Sequence, residues 1–124
     1  MFKVLLIEEE SGLRAVIDFA LCDDFIVFPV ENTDQARDKM NGRETRPDLI
    51  IMRTFHPGSK DFLLGKHRLA ECSHIPVIFL EREGERTKNR ADRKSQNNGW
   101  YYLDLPVNPA RILALAKKCL LPVS

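Results

Sequence analysis

Five short apolar runs alternate with segments of helical periodicity, and this alternation constrains the fold more than any other feature of the chain. The runs are Lys3–Ile7, Phe25–Val30, Asp48–Met52, Pro76–Leu80 and Trp100–Leu103. Strands that read as continuous apolar runs are buried on both faces, as in parallel sheets covered by helices. Helical connections between such strands are right-handed crossovers. The sequence therefore predicts an α/β fold: a doubly wound, five-stranded parallel sheet with helices on both faces.

Local signals place the ends of the helices and one edge of the sheet. Pro29 has no N–H to donate, so the second strand is expected at a sheet edge. The candidate helix N-caps are Ser11, Asn32 or Thr33, Ser59, and Asn108, which a first-turn proline follows.

The 124 residues are expected to form one domain, residues 1–124, because no interdomain linker or repeat interrupts them. No apolar run reaches the roughly 18 residues of a membrane span, and the apolar stretch before Glu8 is too short for a signal peptide. A cytoplasmic location is therefore expected.

The charge is unevenly distributed along the chain. Residues 1–34 carry eight carboxylates and two basic side chains, a net charge of −6, which leaves +7 for the remainder. Such a division is more typical of opposite faces of one domain than of a nucleic-acid site. The basic residues 86–94 lack interleaved aromatic residues, so nucleic-acid binding is not expected.

Residues 82–98 should hold the helix between the fourth and fifth strands, yet Ala91 is their only apolar residue. A helix without an apolar stripe gains little from packing. We expect this segment to be short or frayed. Its net charge of +3 suits either an acidic partner surface or a solvated polar face.

Several motifs occur in a characteristic order and spacing: the acidic residues 8–10, Pro-Asp-Leu-Ile-Ile at 47–51, Pro57, Ile-Pro-Val-Ile-Phe-Leu at 75–80, and Tyr-Leu-Asp-Leu-Pro at 102–106. Together they resemble the receiver domains of bacterial response regulators over essentially the whole chain. The resemblance implies a CheY-like, flavodoxin-like strand order of 2-1-3-4-5 with a crevice between the first and third strands. In that family the crevice holds two acidic residues, a magnesium ion and a phosphoryl-accepting aspartate. A serine or threonine ends strand four, and a lysine follows strand five.

The chain departs from that pattern at nearly every functional position. The resemblance places Glu8 and Glu9 at the acidic pair, Arg53 at the acceptor, Glu81 at the serine or threonine, Leu105 at the lysine and Tyr102 at the aromatic that switches rotamer. A guanidinium cannot accept a phosphoryl group as a carboxylate does. Magnesium prefers oxygen ligands, whereas Arg53 adds a positive charge. We therefore expect no catalytic residue, no enzyme activity, no metal site and no cofactor.

The five donors of Arg53 could instead reach Glu8, Glu9 or Glu81. The acidic residues 8–10 could alternatively form a solvated loop, and Tyr102 could be an ordinary half-buried strand residue. Trp100 and Tyr101 could either pack internally or form an exposed aromatic site.

These features favour a degenerate receiver, or pseudo-receiver, that acts as a phosphorylation-independent protein-interaction module in two-component-type signalling. The partner would be a protein, such as a signalling kinase or an output protein. In the family, the helix before strand five, strand five itself and the last helix form the usual docking and dimerisation face, through which a homodimer is also possible. The candidate residues of that face here are Arg86, Lys88, Arg90, Arg93, Lys94, Trp100 and Tyr101. Two alternatives remain: a phosphorylatable receiver that uses Glu9 or Glu81 as an unusual acceptor, and a regulatory domain of a longer DNA-binding or kinase polypeptide.

Overall fold

A five-stranded parallel sheet forms the centre of the computed structural model, which describes residues 1–54, 57–82 and 99–121. The strands are β1 (Lys3–Ile7), β2 (Ile26–Val30), β3 (Leu49–Arg53), β4 (Val77–Glu81) and β5 (Trp100–Asp104). The described helices are α1 (Ser11–Leu21), α2 (Thr33–Asn41), α3 (Ser59–Arg68) and, at the C-terminal end, α4 (Pro109–Leu120). The predicted helix within residues 82–98 lies outside the described residues from position 83 onward.

The strand order is β2-β1-β3-β4-β5, which confirms the doubly wound topology predicted from the sequence. β2 is an edge strand, as the missing N–H of Pro29 requires. In the central pair, Ile7 of β1 lies opposite Met52 of β3. The carboxyl ends of these two strands therefore lie side by side.

Two apolar layers cover the sheet. On one face, Ala36 and Met40 of α2 and Phe62 of α3 pack against alternate strand residues such as Leu5 and Ile50. On the other face, α1 and α4 pack against the strand residues that alternate with these, such as Leu6 and Ile51. β1, β3 and β4 are almost completely buried because both of their faces are covered, which explains their uninterrupted apolar sequences.

Two predicted caps are wrong. Glu10 rather than Ser11 occupies the N-cap of α1, and its side chain makes no capping hydrogen bond, because it lies in ion pairs at the crevice. Gly58 rather than Ser59 precedes α3, with a left-handed φ of 81°. A side chain there would also collide with Thr33, whose Oγ1 lies 2.6 Å from the position of a Cβ.

The other two predicted caps are correct. The side chain of Asn32 accepts a hydrogen bond from the N–H of Gln35, and the side chain of Asn108 accepts bonds from Ala110 and Arg111. Within the described residues, no helix is long and apolar enough to span a membrane.

Candidate functional site

The candidate site lies at the carboxyl ends of β1, β3 and β4. Both Arg53 and Glu81 are the last residues of their strands, so each strand extends one residue beyond the predicted run. Glu8 follows β1 directly, and its N–H bonds to the carbonyl of Val30 at 3.0 Å. Parallel pairing of adjacent strands thus brings residues that are distant in sequence to one edge of the sheet.

Arg53 and Glu8 form a largely buried ion pair. The Nε of Arg53 donates to Oε1 of Glu8 at 2.8 Å, and the two side chains are 13% and 1% exposed. The second carboxylate oxygen of Glu8 accepts the backbone N–H of Glu10 at 3.0 Å. Each oxygen of this buried carboxylate therefore has an N–H donor, as burial of a charge requires.

Glu10 connects this pair to a second arginine. Its Oε2 lies 3.7 Å from Nη2 of Arg53 and 3.7 Å from Nη2 of Arg82. The result is an alternating chain of charges, Glu8–Arg53–Glu10–Arg82, which we call the crevice ion chain. Its members Arg53, Glu10 and Arg82 line one side of a crevice of about 360 Å³, whose other walls include Leu13, Leu105, Pro106 and Val107. The peptide bond between Leu105 and Pro106 is cis.

Glu81 lies beside the crevice ion chain and is 1% exposed. Its Oε1 accepts a hydrogen bond from the hydroxyl of Thr54 at 2.9 Å. Its backbone carbonyl accepts the N–H of Leu105 at 2.8 Å, which holds the segment after β5 against β4. Glu81 thus presents a buried carboxylate where the family resemblance implies a hydroxyl donor.

The remaining predicted site positions have different environments. Glu9 is exposed, and Leu105 is half-buried, packing with the apolar layer of α1 and α4 while also lining the crevice. Tyr102 is half-buried and stacks on Phe79 with ring centroids 5.4 Å apart. This stack fits an ordinary packing role for Tyr102.

Of the residues predicted for the partner face, Trp100 and Tyr101 are among the described ones. Trp100 packs edge-on against Phe79 at 5.3 Å, on the face that α2 and α3 cover. Tyr101 packs on the opposite face with the layer of α1 and α4. Consecutive strand residues point to opposite faces, so the structure separates Trp100 from Tyr101 rather than joining them in one aromatic site. Arg86, Lys88, Arg90, Arg93 and Lys94 lie outside the described residues.

Three residues that contribute to the candidate site were not predicted from the sequence: Glu10, Arg82 and Arg14. Glu10 belongs to the acidic cluster, but the sequence predicted only Glu8, Glu9 and Glu81 as partners of Arg53. Arg82 could have been found, because it directly follows β4 at the same sheet edge. Arg14 donates to the carbonyl of Glu8 at 2.7 Å and so holds the loop after β1. A side chain reaching back over six residues leaves no sequence pattern that identifies it.

The residues at the crevice do not fit a magnesium ion. Magnesium requires near-octahedral oxygen ligands and is usually held by carboxylates with free coordination positions. Both oxygens of Glu8 point at N–H donors, and the guanidinium of Arg53 lies 2.8 Å from one of them. The guanidinium of Arg53 thus already neutralises the carboxylate of Glu8.

In sequence, the chain matches no protein-family model and no curated protein. Its structure does match solved structures. One is the chemotaxis protein CheY4 of Vibrio cholerae, with a TM-score of 0.78 and 21% identity over 97% of this chain and 99% of that one.

Another is the signal receiver domain of a signal transduction histidine kinase from Syntrophus aciditrophicus, with a TM-score of 0.74 and 20% identity over 97% and 90%. A third is NtrX of Brucella abortus, with a TM-score of 0.76 and 18% identity, where the match covers 96% of this chain and 26% of NtrX. These likenesses establish that the chain has the receiver-domain, CheY-like fold.

Proposed function

We propose that this chain is a pseudo-receiver: a receiver-fold domain that binds a partner protein in two-component-type signalling without being phosphorylated. The observation that carries the proposal is the guanidinium of Arg53 at the carboxyl end of β3, 2.8 Å from the buried carboxylate of Glu8. At this place the family resemblance implies a phosphoryl-accepting aspartate and a bound metal ion. Arg53 supplies neither a nucleophile nor a metal ligand.

The surroundings of Arg53 also oppose phosphoryl transfer. A phosphoryl group carries negative oxygens that need donors or cations around them. Here the buried carboxylate of Glu81 stands in place of a hydroxyl donor, and Leu105 stands in place of a lysine. Glu81 as a substitute acceptor is disfavoured because it is 1% exposed and hydrogen-bonded to Thr54.

A binding role remains when the chemistry is removed and the scaffold is kept, since a fold does not dictate an activity. A protein partner such as a signalling kinase or an output protein fits this role, and we propose no enzyme activity, magnesium or nucleic acid in it. Trp100, on the edge strand β5, lines a cavity of about 530 Å³ with Leu63 and Leu64 of α3. This surface would form part of a partner or homodimer face.

Incubation with acetyl phosphate and magnesium, followed by intact-mass measurement, tests the proposal. We expect no added mass, and in a parallel NMR titration no saturable magnesium shifts at Glu8, Glu9 or Arg53. An active receiver domain in the same mixture serves as the positive control. A gain of one phosphoryl group would instead identify a substitute acceptor and overturn the proposal.

The variant Arg53→Asp sharpens the test, because it restores the missing carboxylate. We expect it to remain unphosphorylated, since Glu81 and Leu105 still do not provide the donors that a phosphoryl group requires. Arg53→Lys, which keeps the positive charge, is the matched control. Labelling of Arg53→Asp but not of Arg53→Lys would show that the acceptor alone was lacking.

A further inference from the structure

The cavity of about 530 Å³ between α3 and the edge strand β5 has the dimensions of a small-molecule site. Such sites are concave, mainly apolar and roughly 300–1,000 Å³ in volume, with a few polar groups that fix the orientation of the ligand. One wall is a single face of α3, because its lining residues Lys60, Leu63, Leu64 and His67 follow the spacing i, i+3, i+4, i+7. Trp100 of β5 lines the cavity as well.

The apolar part of the lining is only partly covered by the chain itself. Leu64 is 47% exposed, and Leu63 and Trp100 are half-buried. The indole of Trp100 packs edge-on against Phe79 with ring centroids 5.3 Å apart, so its orientation is fixed from within the sheet layer. An apolar ligand in the cavity would remove further area of these side chains from water, which favours binding.

Lys66 brings a buried charge to the same lining. Its side chain is 7% exposed, and its Nζ donates to the carbonyl of Ser73 at 3.0 Å. An ammonium has three N–H donors, and the described part of the chain supplies no second hydrogen bond to this one. Burial lowers the pKa of Lys66, an effect that the neighbouring Cys72 partly offsets. A bound anion would accept from the remaining donors and stabilise the charged form of the amine.

The charges around the cavity select an anion. Lys60 and His67 are exposed on α3 beside Lys66, and no carboxylate occurs among the described residues that line the cavity. A cationic ligand would meet like charge there, whereas a neutral apolar ligand would leave the donors of Lys66 without an acceptor. A molecule with an apolar body and one negative group complements both parts of the lining.

We propose that the cavity between α3 and β5 binds a small organic acid, with its carboxylate at the Nζ of Lys66 and its apolar chain along Leu64 and Trp100. The cavity belongs to the proposed partner face, but neither Arg53 nor phosphorylation takes part in it. The inference therefore goes beyond the proposed function. Its test requires no partner protein, so either can fail without the other.

Trp100 provides a direct measurement, because it is the only tryptophan of the chain and lines the cavity. The probe is octanoate, titrated into the full chain below its micelle-forming concentration while tryptophan emission is recorded. Octanol, which has the same chain and no charge, and octylamine, which has the opposite charge, are the ligand controls. NMR amide shifts locate the contact surface.

Two lysine variants separate the buried ammonium from the general charge of α3. Lys66→Met removes the buried charge, and Lys60→Met removes the same charge from an exposed position on the same helix. A third variant, Leu64→Glu, places a carboxylate at the exposed apolar wall. Circular dichroism checks that all three variants fold.

We expect saturable octanoate binding with a Kd of about 1 mM or tighter, with shifts centred on α3 and β5. Octanol and octylamine should bind at least about tenfold more weakly. Lys66→Met should weaken octanoate binding at least about tenfold, as loss of a charged hydrogen bond does, and should abolish the preference for octanoate over octanol. Lys60→Met should change the affinity by no more than about threefold, and Leu64→Glu should remove binding.

Equal binding of octanol or octylamine, equal effects of Lys66→Met and Lys60→Met, or no saturable change in the emission of Trp100 would each overturn the proposal. Amide shifts centred away from α3 and β5 would do the same. A concentration-dependent dimer of the native chain that Leu64→Glu abolishes would also overturn it, because the occupant of the cavity would then be a second copy.

Discussion

Removing Arg53 from its largely buried ion pair with Glu8 should destabilise the fold more than the loss of an exposed ion pair would. The Nε of Arg53 lies 2.8 Å from Oε1 of Glu8, and two unit charges about 4 Å apart attract each other by about 4 kcal/mol at an effective dielectric near 20. Much of this is offset by desolvation, so the net value of the intact pair can be near zero. Removing one partner is different, since Glu8 is 1% exposed and would be left charged without its cation. We expect Arg53→Met and Arg53→Asp each to lower the free energy of unfolding by about 1–4 kcal/mol.

A double-mutant cycle isolates the pair. Arg53→Met, Glu8→Gln and the double variant are unfolded in urea, and the free energies are extrapolated to water. Glutamine keeps an oxygen that can accept the N–H of Glu10, so the second hydrogen bond of Glu8 can survive. We expect a coupling energy of about 1–3 kcal/mol, as found for residues in direct contact.

The chain offers a matched control cycle. Arg37 and Asp34 lie 2.9 Å apart, but their side chains are 47% and 86% exposed. The variants Arg37→Met and Asp34→Asn should couple by no more than about 0.5 kcal/mol, because exposed pairs are screened by water. Equal coupling in both cycles would refute the argument from burial. Coupling below about 0.5 kcal/mol for Arg53 and Glu8 would refute the ion pair itself.

Two further predictions concern α4. Asn108→Ala should lower the free energy of unfolding by about 1 kcal/mol, because the Asn108 side chain accepts hydrogen bonds from two N–H groups. Thermal unfolding measures this, with Asn41→Ala at the end of α2 as the control. Equal melting temperatures of the two variants would contradict the prediction. Burial raises the pKa of Cys119 to about 11, opposed by the nearby Lys118, from an ordinary value of 9.0. As the pH rises, the thiol therefore ionises in the unfolded chain at a lower pH than in the folded chain. Between about pH 9 and 11 the native chain should lose more stability than the variant Cys119→Ala. Urea unfolding midpoints that change equally with pH in the two proteins would contradict this prediction.

The sheet could be predicted from sequence because its signals are redundant. β1, β3 and β4 each contain four consecutive apolar residues, at 4–7, 49–52 and 77–80, as strands covered by helices on both faces do. Pro29 independently assigned β2 to an edge. The two wrong caps arose where a tertiary contact outweighed a local preference. Glu10 makes ion pairs instead of capping α1, and Gly58 takes a backbone conformation beside Thr33 that a serine would not.

The candidate site was only partly predictable, because its charges interact across strands. The resemblance pointed to Arg53 and Glu8, and strand pairing brought them together. It placed Glu9 at the acidic pair and gave no role to Glu10, because the direction of each carboxylate depends on the turn into α1, which the resemblance does not specify. Both residues are exposed, and the carboxylate of Glu10 lies 3.7 Å from Nη2 of Arg53 and 3.7 Å from Nη2 of Arg82. A shift of one position in the turn after β1 thus decides which carboxylate lines the crevice.

The crevice ion chain also bears on whether this domain can switch. A two-state switch needs a ligand with different affinities for the two states. In receiver domains the covalently attached phosphoryl group has this role. Here ion pairs of Glu10 with Arg53 and Arg82 already connect the ends of β3 and β4 to the start of α1. Moving Arg82 away from β3 would break a contact with the exposed Glu10, which is weak, whereas moving Arg53 would expose the buried Glu8. The strand end at Arg53 should therefore resist displacement, and any motion that a partner induces should begin at Arg82, which directly follows β4.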